Sequence, residues 1–309
     1  MKKRSVRWLV IALFALFLGA CGQKSSQVNS KETKGMKIVT SFYPVYAMVK
    51  AVSGDLNDVR MIQSSSGIHS YEPSANDIAA IYDADVFVYH SHTLESWAGS
   101  LDPSLQKSKV KVLEASEGMT LDRVSGLEDI EVGKGVDEKS LYDPHTWLDP
   151  EKVAEEAQII ADKLSELDSE NKEIYQSNAK KFIDQAHELT NKYKPIFDKV
   201  EQRTFVTQHT AFSYLAKRFD LNQLGIAGIS PDQEPSPRQL TEIQEFVKTY
   251  KVKTIFTESN ASSKVAETLI KSTGVSLKTL NPLESDPQND KSYLDNLEED
   301  IAILAEELK

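Results

Sequence analysis
The sequence predicts an α/β protein of two lobes with mostly parallel sheets, bridged by one long rigid helix. Three observations carry that expectation. Short β-branched runs alternate with helix-like segments in both halves, as in parallel α/β layers. A continuous helical stretch separates the halves. About 270 residues follow the N-terminal leader, more than one hydrophobic core usually organises.

In the first half the runs at 37–42, 58–62, 86–89 and 110–113 read as strands, with helices from Pro44 to Ser53, Ser74 to Tyr82 and Glu95 to Gln106 between them. Residues 150–167 and then 170–200 are rich in Ala, Glu, Lys and Gln, with apolar residues three and four apart, so they read as helices. The second would reach about 45 Å at 1.5 Å per residue, and Pro195 should kink it or end its regular part. After Val200, strands are expected at 204–207, 254–257 and 277–280, and helices at 210–219, 236–248 and 262–272. The expected organisation is a signal peptide over 1–20, a lipidated cysteine and flexible tether over 21–35, an N-terminal lobe over 36–168, the bridging helix over 169–200 and a C-terminal lobe over 201–309.

The N-terminus sets compartment and charge. Lys2, Lys3, Arg4 and Arg7 precede an apolar run from Trp8 to Leu18, too short to span a bilayer, and small residues lead into Cys21. This is the pattern of a cleaved export signal. Cys21 is the only cysteine, so an intrachain disulfide and a thiolate metal ligand are both excluded. Residues 22–35 are polar and have the composition of a tether. The formal net charge is −11 and becomes −15 after removal of 1–20, with 32 Lys and Arg left against 47 Asp and Glu. Such a chain is a poor nucleic-acid partner and is compatible with a cation ligand or a basic docking surface. Residues 123–142, rich in Gly and acids without periodicity, read as a loop, either a lid or an insertion.

The candidate site comes from three histidines, each between a strand and a helix: His69 in Gly-Ile-His-Ser-Tyr-Glu-Pro-Ser, His145 in Asp-Pro-His-Thr-Trp-Leu-Asp-Pro, and His209 in Thr-Gln-His-Thr-Ala-Phe. Glu284, just beyond the last strand, is a fourth candidate. Ligands gather at the carboxyl edges of parallel strands, so four such side chains from two lobes would meet in the cleft. Imidazole nitrogens and a carboxylate suit tetrahedral Zn2+. His90 and His92 would share a strand face, but without an acid nearby in sequence they are read as surface positions or supports behind the ligands. His187, inside the long helix, should be solvated. Glu72, Asp149 and Glu234 are equivalent candidates to accept the ligands' second ring N–H.

These motifs, together with Glu-Pro-Ser-Pro at 234–237 and Ile-Phe-Thr-Glu-Ser at 255–259, resemble the metal-binding lipoprotein receptors of bacterial ABC importers for zinc and manganese (cluster A-I, adhesin type). The resemblance spans most of the mature chain in order. It implies two α/β lobes bridged by a long helix, one buried metal per chain held by His69, His145, His209 and Glu284, and a lipid on Cys21, since Leu-Gly-Ala-Cys resembles a lipobox. Manganese members tend to carry a carboxylate where this chain has His209, and three imidazoles favour Zn2+. The implied function is capture of extracellular Zn2+ for an ABC permease by a membrane-anchored monomer, without catalysis. A histidine-poor 123–142 loop fits the shorter streptococcal-type zinc lipoproteins, also described as laminin-binding adhesins. Laminin, or a histidine-rich surface protein that donates metal, are the further partners this implies. Two other readings stay open: an adhesin with a structural zinc, and a zinc hydrolase using Glu284 as general base.

Overall fold
The structure, a computed structural model, describes residues 35–62, 67–124, 141–232, 236–258 and 264–309. The expected signal, Cys21, residues 22–34 of the tether, residues 125–140 of the acidic loop and Glu234 lie outside the described residues.

The N-terminal lobe runs β1 (Lys37–Thr40), α1 (Tyr43–Ser53), β2 (Asp58–Met61), α2 (Ala75–Asp83), β3 (Val86–Tyr89), α3 (Ser96–Leu105) and β4 (Lys111–Glu114). Its four strands are parallel in the order β2-β1-β3-β4, with Val39 between Arg60 and Phe87. Central β3 reads Val-Phe-Val-Tyr and is buried throughout, as a strand covered on both faces must be. A short 3-10 helix (Thr146–Leu148) leads into α4 (Pro150–Leu167), where Asp149 caps the Glu151 N–H and Pro150 occupies a first-turn position that needs no donor.

After α5 (Lys172–Phe197), the C-terminal lobe runs β5 (Thr204–Thr207), α6 (Ser213–Arg218), β6 (Asn222–Gly225), α7 (Pro237–Thr249), β7 (Thr254–Glu258), α8 (Lys264–Thr273), β8 (Ser276–Leu280) and α9 (Tyr293–Glu307). Its parallel order, β6-β5-β7-β8, repeats that of the first lobe. Two elements go beyond the sequence reading. β6, Asn-Gln-Leu-Gly, has no β-branched residue and forms because its backbone pairs with β5 from Thr204↔Asn222 to Thr207↔Gly225. The terminal helix α9 has a capping box between Ser292 and Asp295 and buries Leu294, Leu297, Ile301, Leu304 and Ala305. The expected helix at 210–219 starts only at Ser213, because His209 to Phe212 is drawn into the site.

The bridging helix α5 has 26 residues, about 39 Å at 1.5 Å each, and ends at Phe197, two residues after Pro195. Its buried stripe is Tyr175, Ala179, Phe182, Ala186, Leu189, Tyr193 and Phe197. The N-terminal half meets the first lobe, where Asn178 donates to Val52 O and Tyr175 Oη accepts from Asn57. Near its other end Tyr193 donates to Glu298 of α9, and Phe197 stacks on Phe219 at 4.5 Å.

The core is shared. One hydrophobic cluster takes in Phe42, Val88 and Trp147 from the first lobe, the α4 and α5 stripes, and Phe205, Phe256 and Leu297 from the second. Smaller clusters lie on the other face of each sheet, around Phe87 and Trp97 in one lobe and Val206 and Ile255 in the other. Because α5 is packed on both lobes, their relative orientation should be nearly the same in metal-free and metal-bound protein. Superposition of the two crystal structures checks this, and a large rigid-body rotation of one lobe would contradict it.

Candidate metal centre
The structure brings His69, His145, His209 and Glu284 together, one ligand atom from each lying within 4.8 Å of the others. Four of the six pairs are in close contact. Nε2 of His145 is 3.2 Å from Nε2 of His69 and 3.3 Å from Nε2 of His209, and Oε1 of Glu284 is 3.2 Å from both His69 Nε2 and His209 Nε2. Four ligands at about 2.0 Å from a tetrahedral Zn2+ stand about 3.3 Å apart, and these four contacts match that edge length. A proton can bridge one such edge, whereas a divalent cation satisfies all of them. His145 and His209 are fully buried, and the side chains of His69 and Glu284 are 9% exposed.

Each ligand is delivered by local structure. His69 lies in a turn closed by Tyr71 N–H on Ile68 O, followed by the capping box of α2, in which Asp77 accepts from Ser74 and from the Tyr71 hydroxyl. His145 is fixed by Asp143, whose Oδ1 accepts both its backbone N–H (2.9 Å) and its ring Nδ1–H (2.7 Å). Glu258, at the carboxyl end of β7, does the same for His209, at 3.1 Å and 2.5 Å. With the Nδ1 protons placed there, both Nε2 atoms face the common centre. The His209 loop also needs Gly225, since a Cβ there would stand 2.2 Å from Thr210 Oγ1. Glu284 follows Leu283, which sits at φ +54, with its N–H bonded to the Asn281 side chain, and Asn281 N–H is held by buried Asp300.

Electrostatics follows from burial against these carboxylates. Burial lowers the basicity of His145, and Asp143 opposes this only in part, so its pKa falls below the ordinary value. For His209, burial is outweighed by Glu258 and Glu284, and the pKa is pushed up to about 10. Burial would raise Glu284, but hydrogen bonds from His209 and His69 hold it well below the usual carboxylate range. The centre thus offers a permanent anion and a proton for an arriving cation to displace.

The remaining candidates fall elsewhere. His90 is fully buried behind the site: its Nε2 bonds Pro144 O at 2.8 Å and its Nδ1 is 3.3 Å from Glu156. Burial disfavours its charge, but Glu156 and Glu95 raise its pKa to about 9. One of these acids comes from α4, and the other, Glu95, lies only five residues on and accepts the His90 backbone N–H, an acid the sequence reading passed over. His92 pairs with Glu114, and His187, half exposed, pairs with Glu151 at 2.8 Å. Among the described candidates for the second ring N–H, Glu72 is exposed and Asp149 is engaged by the Arg218 guanidinium. The residues in that role are Asp143 and Glu258. Asp143, two positions before His145, could have been found from that spacing, while Glu258 is apparent only once β5 and β7 are paired.

Two α/β lobes of like topology, joined by a long helix around a closed four-ligand centre, define a metal-binding receptor of the substrate-binding type. The chain belongs to the family described as zinc-uptake complex component A, periplasmic, which it matches over residues 38–307. It is 39% identical to the high-affinity zinc uptake system protein ZnuA of Bacillus subtilis, over 99% of this chain and 98% of that protein. It is 40% identical to the zinc-binding lipoprotein AdcA of Streptococcus pneumoniae, and spans 60% of that longer protein. Among solved structures, a Zn(II)-bound variant of AdcAII from Streptococcus pneumoniae is 83% identical with a TM-score of 0.85, over 89% of this chain and 99% of that one. The laminin-binding protein Lmb of Streptococcus agalactiae, described as bifunctional with adhesin and metal-transporting activity, is 60% identical with a TM-score of 0.82, over 89% and 100%.

Replacing Glu258 by Gln keeps the shape but removes the anion that orients His209. Metal affinity is expected to fall roughly 10- to 100-fold, measured by chelator competition, with the fold retained by circular dichroism.

Proposed function
We propose that this chain is an extracytoplasmic zinc receptor, which captures one Zn2+ through His69, His145, His209 and Glu284 and passes it to the permease of an ABC importer. The observation that carries the reading is the convergence of three imidazole nitrogens and one carboxylate oxygen within 4.8 Å of one another, largely out of water. Three nitrogens with one oxygen suit Zn2+ better than the oxygen-rich sites preferred by Mn2+. Four protein ligands leave no position for an activated water, so the zinc is cargo and the protein is not an enzyme. No described helix is long and apolar enough to cross a membrane. The reading places the protein on the outer face of the cell membrane as a monomer held by a lipid on Cys21.

Adhesion to laminin is a second reading, favoured by the 60% identity to Lmb. The two are separable. If transport is primary, His209→Ala impairs growth under zinc chelation; if adhesion is primary, that variant grows normally and loses laminin binding.

Elemental analysis of purified residues 22–309 tests the zinc reading directly. One zinc per chain is expected in the parent and a marked loss in His209→Ala, whereas manganese in the parent, or no retained metal, would refute it. The site also fixes a sign for pH. A proton resides on His209 in the metal-free protein up to about pH 10 and must leave as metal enters, so acidification favours the metal-free state. Affinity is expected to fall by about tenfold for each pH unit between 8 and 5. Titration calorimetry at several pH values checks this, and a flat profile contradicts the three-histidine site.

A further inference from the structure
We propose that Trp147 is a positioning residue for the metal centre: by donating its indole N–H to the Pro282 carbonyl, it holds Glu284 in register with His145 and slows metal release. This rests on the zinc-receptor reading above. Trp147 lies two residues after His145 in the first lobe, and Pro282 lies two residues before Glu284 in the second. The bond between them is 2.8 Å and buried. Trp147 is fully buried, and its ring packs on His145 at 5.0 Å, on His90 at 5.1 Å and on Phe42 at 5.1 Å. The same side chain therefore sets the plane of one ligand and the loop of another.

The Glu284 loop needs such a tie. Leu283 has a left-handed backbone, which a branched aliphatic residue adopts only when its neighbours impose it. One end is imposed by Asn281, through Asp300; the other is the Trp147 bond. Trp147 is itself anchored from the second lobe, since the Tyr293 hydroxyl donates to its carbonyl at 2.5 Å. Asp143 O and the Asp149 carboxylate also bond the second lobe, through Tyr214 and Arg218. Of these four contacts, only the indole bond to Pro282 reaches a residue within two positions of a ligand there. Losing the N–H leaves a buried carbonyl unsatisfied and frees the loop to relax.

The test is zinc release into excess chelator by Trp147→Phe, which keeps an aromatic ring and removes the donor. Release is expected to be about tenfold faster than in the parent. A double-mutant cycle separates positioning from general loosening. In a His69→Ala background the tenfold effect should persist, because His69 is not on the clasped loop. In a Glu284→Ala background it should vanish, because the ligand being positioned is gone. Should Trp147→Phe fail to fold, Tyr293→Phe is read in the same cycle, with the same pattern at smaller size. Unchanged release by the tested variant, or an equal acceleration in both backgrounds, overturns the proposal alone. A parent that retains no zinc overturns the receptor reading and this proposal with it.

Discussion
Three imidazoles and a carboxylate taken out of water within 4.8 Å of one another form the constraint to which the rest of the fold answers. Burying such groups is unfavourable unless each is paired. The chain meets this with anions placed behind the ligands: Asp143 under His145 and Glu258 under His209, each accepting a backbone and a ring N–H from the same residue. What remains uncompensated at the centre is matched by a small divalent cation. The site is closed by construction, which suits holding an ion and does not suit chemistry on it.

Holding four such side chains from two lobes at one point requires lobes that do not drift. The shared apolar cluster and α5 supply the bulk of that rigidity, and the segment from Asp143 to Asp149 supplies the local part. Within seven residues it carries one ligand, the anion behind that ligand, the indole that reaches Pro282, and the cap of α4 that also receives Arg218. The buried His90, with Glu156, supports the same turn from below through Pro144 O.

Much of this was legible in the chain. β-branched runs gave seven of the eight strands among the described residues, and the alternation with helices gave the parallel sheets. The long apolar stripe gave the bridge. Histidines placed between a strand and a helix marked three of the four residues that gather at the centre. What escaped was set by long-range contact. β6 is a strand only through its pairing with β5, and Asn222 to Gly225 carry no local preference for it. The site environment was equally hidden. Asp143, Glu72 and Asp149 look alike as acids near a histidine, and only the folded backbone distinguishes them. Of the two acids around His90, Glu95 was near enough in sequence to be seen, whereas Glu156 lies 66 residues further on. The single core was also not foreseeable from two periodic halves, since apolar residues do not declare which lobe they will face. The α9 stripe and its capping box, by contrast, were local signals that the sequence reading passed over.

The four converging residues lie at 69, 145, 209 and 284, so successive members are 76, 64 and 75 positions apart. An unfolded chain therefore contains no chelating pair among them, and closing loops of that length carries an entropic cost that isolated ligands do not recover. The last member is set in place by Asp300 of α9, close to the C-terminus. A chain whose two lobes have not formed accordingly presents no such cluster, and binding of an ion there depends on folding.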